Sequence, residues 1–168
     1  MIFLDAKPNK AHLKLAEMEQ AGKLSAIVTQ NIDGLHQAAG SKNVFELHGS
    51  VHRNYCQKCG KFFDVNYVVN AKGVPYCDEC GGIIKPDVVL YEEGLDSQTI
   101  NGAVRAISKA DMLIIGGTSL VVYPAAGMID YFKGKYLAVL NRDATSRDKQ
   151  ADLCITDLIG EVLGRIRV

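Results

Sequence analysis

Two Cys-x-x-Cys hooks, Cys56-Gln57-Lys58-Cys59 and Cys77-Asp78-Glu79-Cys80, stand 17 residues apart, and no other feature of the chain restricts its fold so strongly. Two thiolates on one hook can share an ion with two on the other, and hooks at this separation are the usual sequence mark of a four-cysteine zinc site. Each hook runs into glycine, Gly60 after the first and Gly81-Gly82 after the second, where the backbone must turn sharply around the metal. Four thiolates fill a tetrahedral shell. No position is left for water or substrate, so the ion is expected to hold structure while other residues carry chemistry. Two disulfides, or unpaired buried thiols, are the competing readings. The sequence shows no signal peptide, long apolar span or lipidation motif, which points to the reducing cytoplasm, where paired hooks bind metal. The fifth cysteine, Cys154, lies in Leu153-Cys154-Ile155 and reads as a buried strand residue.

A chain of 168 residues can bury a real core, and a hydrophobic fraction of 48% is that of a globular protein. Nineteen basic residues balance nineteen acidic ones, which argues against a phosphate-backbone partner. Neither a nucleic acid nor a membrane is expected as a partner.

Asn9 is placed to cap a helix in which Ala11, Leu15 and Met18 recur at helical spacing, with Gly22 as its stop. Leu24–Val28 is a short apolar run suited to a strand buried on both faces, and Val44–Leu47 is a second. After the cysteine-bearing excursion, a helix is predicted from Ser97 with Ile100, Ala103, Val104 and Ile107 on one face. It is followed by a strand at Met112–Ile115, a helical patch opening at Pro124, strands at Tyr136–Leu140 and Leu153–Ile155, and a helix from Asp157. Strand and helix alternating in this way predict an α/β fold with a doubly wound, mostly parallel, Rossmann-like sheet interrupted by a zinc module. The expected division is residues 1–52 and 88–168 for the sheet domain and 53–87 for the zinc-ribbon insert.

Three predicted strands end in small or polar residues, at Thr29–Asp33, Gly116–Ser119 and Asn141–Asp143. Any one is ordinary turn chemistry. Three on the carboxyl rim of one parallel sheet point to a ligand such as a nucleotide, although neither Gly-x-Gly-x-x-Gly nor a P-loop occurs.

Thr29-Gln30-Asn31-Ile32-Asp33-Gly34-Leu35-His36, then Glu46-Leu47-His48-Gly49, the cysteine hooks, Lys85-Pro86-Asp87-Val88-Val89, Gly117-Thr118-Ser119-Leu120 and the Asn141 loop follow one another in a fixed order. In that order the chain resembles the sirtuins, NAD-dependent protein-lysine deacylases. The resemblance implies that His48 is the general base that draws a proton from a hydroxyl of the nicotinamide ribose. A neutral imidazole, with an ordinary pKa of about 6.5, suits that task. It implies that Gln30, Asn31, Ile32 and Asp33 line the nicotinamide end of NAD. Gly117, Thr118 and Ser119 would meet the phosphates and the adenine-side ribose, Asn141 the adenosine hydroxyls, and Cys154, through its backbone, the adenine. Val88, Val89 and Tyr91 would pair with the acyl-lysine peptide as an added strand. By the same resemblance the acyl group passes to ADP-ribose, nicotinamide leaves, zinc is structural and NAD is the co-substrate.

Outside these assignments, His12 reads as the exposed side of its helix, His36 and His52 as loop or solvent-facing residues with His52 near the zinc knot, and Lys85 and Asp87 as surface charges; Asp33 also reads as a helix cap. Two departures from the family pattern stand out. Leu90-Tyr91-Glu92-Glu93 replaces the family's Phe-Gly-Glu. Ahead of Asp5–Pro8 the family carries a first strand, a Gly-Ala-Gly-x-Ser loop and a Pro-Asp-Phe-Arg segment, none of which is in the sequence. Met1–Leu4 reads like the interior of a longer chain, which points to a truncated product, an alternative start or an incomplete gene model, and a chain that binds NAD weakly and deacylates poorly is expected. A catalytically weak zinc-ribbon scaffold for protein binding is the alternative from another functional class.

Overall fold

The Asn9 side chain accepts the backbone N–H groups of Ala11 and His12, and from that cap helix α1 runs over Lys10–Gln20. The computed structural model describes residues 4–168; Met1–Phe3, read above as chain interior, lie outside the described residues. Strands β1 (Ile27–Thr29) and β2 (Val44–Glu46) pair in parallel, with the four-residue helix α2 (Leu35–Ala38) between them. Strand β3 (Gly49–Cys56) then opens an antiparallel sheet with β4 (Phe62–Phe63) and β5 (Ile84–Val88), in the order β4-β3-β5, with helix α3 (Val65–Val69) after β4. Helix α4 (Ser97–Lys109) leads back to parallel strands β6 (Met112–Gly116), β7 (Tyr136–Leu140) and β8 (Leu153–Ile155), and α5 (Ile159–Gly164) follows. The patch after Pro124 is a 3-10 helix, Ala125–Tyr131.

Layering follows from the two-residue period of β7. Ala138 and Leu140 are buried on the face that meets α1 and α5, where Leu140 packs with Ala11 and Leu163. Leu137 and Val139 point the other way, into a cluster with Ile115, Ile129 and Phe132. A central strand covered on both faces needs a continuous apolar run, and Tyr136-Leu-Ala-Val-Leu140 supplies it. Helix α4 turns Ala103 and Ile107 onto Leu47 and Met128, with Phe45 and Val28 beside them, which joins the β1-β2 pair to the rest of the core. The doubly wound arrangement is therefore present, with its parallel strands in two ladders, β1-β2 and β6-β7-β8.

At the corner between β2 and β3, Gly49 has φ +74°, and a Cβ there would fall on the Asp87 carbonyl oxygen. Only glycine tolerates both conditions. The corner sits directly after His48 and brings β3 against the end of β5, Gly49 opposite Val88.

Candidate functional site

The zinc hooks build matching turns. Gly60 donates its N–H to the Cys56 carbonyl at 2.9 Å and Gly81 to that of Cys77 at 3.0 Å, with φ of +75° and +68° at the two glycines. The four sulfurs lie within 4.8 Å of one another. Sγ of Cys56 is 3.4 Å from that of Cys80, and Sγ of Cys59 is 3.7 Å from that of Cys77. A disulfide needs about 2.05 Å. A tetrahedral ion with Zn–S bonds of about 2.3 Å sets its sulfurs roughly 3.8 Å apart, so these spacings fit the metal and exclude both bridges. Gly82 makes the convergence possible: a Cβ there would stand 2.8 Å from Cys56 Sγ and 2.7 Å from Lys58 Cβ. Burial alone would raise the Cys56 thiol, yet the N–H groups of Cys59 and Lys58 and the neighbouring Cys80 and Cys59 thiols bring it down to about 6. The neighbouring thiols push Cys59 the other way, up to about 12, and Cys80 is raised as well, so the four sulfurs share protons among themselves until a metal displaces them. Cys56 and Cys77 are buried with Phe63 and Ile84, so the site doubles as the core of the antiparallel sheet.

A second feature is a cavity of about 360 Å³ at the carboxyl ends of β6 and β7. Gly117, Thr118, Ser119, Asn141, Arg142 and Asp143 line it together with Asp157, Leu158 and Ile159 at the start of α5. Thr118 Oγ1 accepts the Leu120 N–H at 3.2 Å, and Asn141 Nδ2 donates to the Asp143 carbonyl at 2.8 Å, so both loops are internally braced. Leu120 holds φ +56°, a left-handed conformation that leucine adopts only when its surroundings impose it. Two of the three predicted rim loops thus share one cavity, and the third is organised around His48.

There, His48 Nδ1 lies 3.1 Å from the Gln30 carbonyl. A carbonyl only accepts, so Nδ1 carries the proton and, in the neutral ring, Nε2 keeps its lone pair. The loop is braced from within: Asn31 N–H bonds Thr29 Oγ1 at 3.0 Å, and Asp33 Oδ1 accepts the Leu35 N–H at 3.0 Å. That bond is an Asx turn one residue ahead of α2, whose N-cap is Gly34 with no side-chain cap, so Asp33 is not the helix cap the sequence suggested. On the far side of His48, its carbonyl accepts the Val89 N–H at 3.1 Å. Among the described residues β5 pairs in the sheet with β3 alone; outside that ladder the Ile84 N–H is taken by the Pro75 carbonyl at 3.0 Å and the Val88 carbonyl by Lys85 Nζ at 3.0 Å. Tyr91 is fully exposed just beyond β5.

A model of the Sir2 family matches residues 1–124. The NAD-dependent protein deacetylase of Clostridium acetobutylicum is 67% identical over 164 residues, 97% of this chain and 67% of that protein. The chain belongs to the Sir2 family. The NAD-dependent protein deacetylase of Clostridium perfringens is 64% identical over 167 residues, 99% of this chain and 68% of the relative. A solved complex of Sir2 with p53 peptide and NAD+ superimposes with a TM-score of 0.89 at 41% identity, covering 96% of this chain and 70% of that one. Sir2 with the inhibitor EX-527, 2'-O-acetyl-ADP-ribose and deacetylated p53 peptide gives 0.89 at 42%, covering 96% and 71%.

Several side chains of this Sir2-family chain differ from their sequence reading. Cys154 sits on β8, which among the described residues is the edge strand beside β7, and is exposed rather than buried. It is also absent from the residues lining the cavity. His12 is half-buried, its ring centroid 4.6 Å from that of His36. Burial lowers the pKa of both, and each feels nearby charges as well. Asp87 is exposed and Lys85 partly so, as read, and both are paired: Lys85 Nζ donates to the Val88 carbonyl at 3.0 Å and to Glu93 at 3.1 Å, and Asp87 accepts from Arg53 at 2.8 Å. His52 is exposed, in line with a solvent-facing reading, but lies on β3 rather than in a loop, and its Nε2 donates to the Asp33 carbonyl at 2.9 Å. Asp157 and Leu158, at the cavity mouth, carried no signal beyond a predicted helix start.

Proposed function

We propose that this chain is an NAD-dependent protein-lysine deacetylase that passes the acyl group from lysine to ADP-ribose and releases nicotinamide. One observation carries the reading: His48 ties the Gln30–Asp33 loop through its ring and the Val88–Val89 strand through its carbonyl. A single residue so placed stands between a cofactor loop and a peptide edge. The relatives named above are NAD-dependent deacetylases, and the solved neighbours hold NAD+, acyl-ADP-ribose and peptide.

In this reading NAD brings the ribose carbon that takes up the acyl oxygen and the nicotinamide that departs. His48 Nε2, with Nδ1 committed to Gln30, accepts the proton of a ribose hydroxyl. Gln30, Asn31, the Ile32 backbone and Asp33 receive the nicotinamide end. Gly117, Thr118 and Ser119 serve the phosphates and the second ribose, Asn141 its hydroxyls, and the Cys154 backbone the adenine. Val88, Val89 and the chain near Tyr91 pair with the acyl-lysine peptide. The four thiolates hold zinc with a closed shell, which ties the antiparallel insert and leaves the reaction to the sheet domain. We also assign the protein to the cytoplasm, on the support of thiols too far apart to be bridged. Among the described residues no helix is long and apolar enough to cross a membrane.

The test is nicotinamide release from an acetyl-lysine peptide in the presence of NAD. His48→Ala is expected to lower turnover by roughly 10²–10⁴-fold, the usual worth of a positioned general base. Turnover unchanged by that substitution would remove His48 from the mechanism.

A further inference from the structure

β3 leaves its ladder with β5 between Ser50, opposite Asp87, and Asn54, opposite Pro86. Val51, His52 and Arg53 therefore stand on β3 where β5 offers no partners. Bulges re-aim side chains and gather beside working sites, and each of these three residues reaches a different place. The Val51 N–H donates to the Ile32 carbonyl at 3.1 Å. His52 Nε2 donates to the Asp33 carbonyl at 2.9 Å, and its ring covers Gly34, where a Cβ would sit 2.8 Å from His52 Cδ2. Arg53 donates from Nη1 to Glu46 at 2.7 Å and from Nε to Asp87 at 2.8 Å.

These ties fall on the two segments that flank His48. Among the hydrogen bonds of the described residues, the stretch Asn31–Gly34 is tied to a neighbouring element only through Val51 and His52; its other bonds are local. Glu46 lies two residues before His48, with its side chain only 8% exposed, and Asp87 lies one residue before Val88. A guanidinium can hold two carboxylates at fixed angles, which the point charge of a lysine cannot do.

We propose that the Val51–Arg53 bulge is a positioning element with two separable clips: His52 sets the loop that receives the nicotinamide end of NAD, and Arg53 sets the strand that pairs with the acyl-lysine peptide. The assignment of the two substrates rests on the deacetylase reading above; the clips themselves rest on the contacts.

The experiment compares the unmodified chain with His52→Ala, His52→Gln, Arg53→Ala and Arg53→Lys by amide hydrogen exchange and by the KM values for NAD and for an acetyl-lysine peptide. His52→Ala is expected to speed exchange in residues 31–36 by about five- to tenfold and to raise the NAD KM by a similar factor, leaving the peptide KM in place. His52→Gln, whose side-chain amide can donate to the same carbonyl, restores both. Arg53→Ala is expected to speed exchange at residues 87–89 and to raise the peptide KM by about two- to fivefold, the worth of a half-exposed ion pair, with the NAD KM little changed, and Arg53→Lys fails to restore it. Should Arg53→Ala fold poorly because Glu46 is left buried and unpaired, the pair Arg53→Ala with Glu46→Gln removes that charge and gives the same readouts. Exchange unaltered in these segments, or both KM values rising together with faster exchange throughout, overturns the two-clip assignment. An unmodified chain that releases no nicotinamide sinks the deacetylase reading instead; the exchange measurements still decide the clips.

Discussion

Gly81 and Gly82 are neighbours in the second zinc hook, yet replacing them with alanine should fail for different reasons. At Gly82 the added methyl carbon would lie 2.8 Å from Cys56 Sγ, 3.4 Å from Cys80 Sγ and 2.7 Å from Lys58 Cβ. Two of its three near neighbours are metal ligands, so the sulfurs themselves must move. Overpacking of this kind costs about 1–3 kcal/mol, and if it falls on the bound state it weakens zinc by roughly 5- to 150-fold. Gly81 has open space around its Cβ position but φ of +68°. Alanine there meets no atom and pays only for the left-handed backbone, about 1–2 kcal/mol. The two costs respond differently to asparagine, which visits that conformation readily. Gly81→Asn should recover most of the lost affinity, whereas Gly82→Asn, bulkier at the crowded position, should lose more than Gly82→Ala. The assay is zinc release to a graded chelator, followed by metal content and thiol titration on each variant. Native-like zinc affinity in Gly82→Ala would refute the crowding argument. A Gly81→Asn variant as weak as Gly81→Ala would refute the backbone one.

Chelation of the unmodified protein should unfold the antiparallel insert first, because Cys56 and Cys77 are part of its buried core; hydrogen exchange rising in β3 and β4 before β7 would bear this out, and simultaneous loss everywhere would not. Leu163→Ala should cost about 2–5 kcal/mol, since Leu163 is 1% exposed and fills the space between α1, α5 and β7. A melting temperature lower by less than about 4 °C would contradict that packing. His36 supplies a pH test. Burial and the neighbouring His12 lower its folded pKa below the ordinary 6.5, with Asp33 and Glu46 pulling weakly the other way. The folded state then binds fewer protons than the unfolded one, so the stability it contributes is present above about 6.5 and is lost as the pH falls through that value toward the lower folded pKa. His36→Gln should flatten the decline in melting temperature between about pH 7.5 and 5.5, and an equally steep decline would show that other groups cause it.

Much of the fold was readable because it repeats simple periods. The run Tyr136–Leu140 is apolar at nearly every position and is a strand with those bounds, and the stripe Ile100, Ala103, Val104, Ile107 marks α4. The convergence of Cys56, Cys59, Cys77 and Cys80 was readable from spacing alone, since a cysteine hook is a local object. Elements of the insert were harder: β4 is two residues long and α3 five, too short for either to show a period. The exposure of Cys154 and, among the described residues, the edge position of β8 are things no local pattern states. The same limit hid His52 and Arg53, whose partners Asp33, Glu46 and Asp87 are brought near by the β2-β3 corner and the β3-β5 ladder. The individual roles of the residues around His48 and the cavity came from motif order rather than from chemistry written in any one residue.

Gly49 has a consequence for how this protein can vary. With the Asp87 carbonyl occupying the place of its Cβ and a backbone that side chains disfavour, position 49 is closed to the other nineteen amino acids. Inherited change around His48 must therefore proceed by altering neighbours while this vertex stays as it is. An attempt to retune the pocket by directed evolution should find position 49 empty of survivors, however large the library.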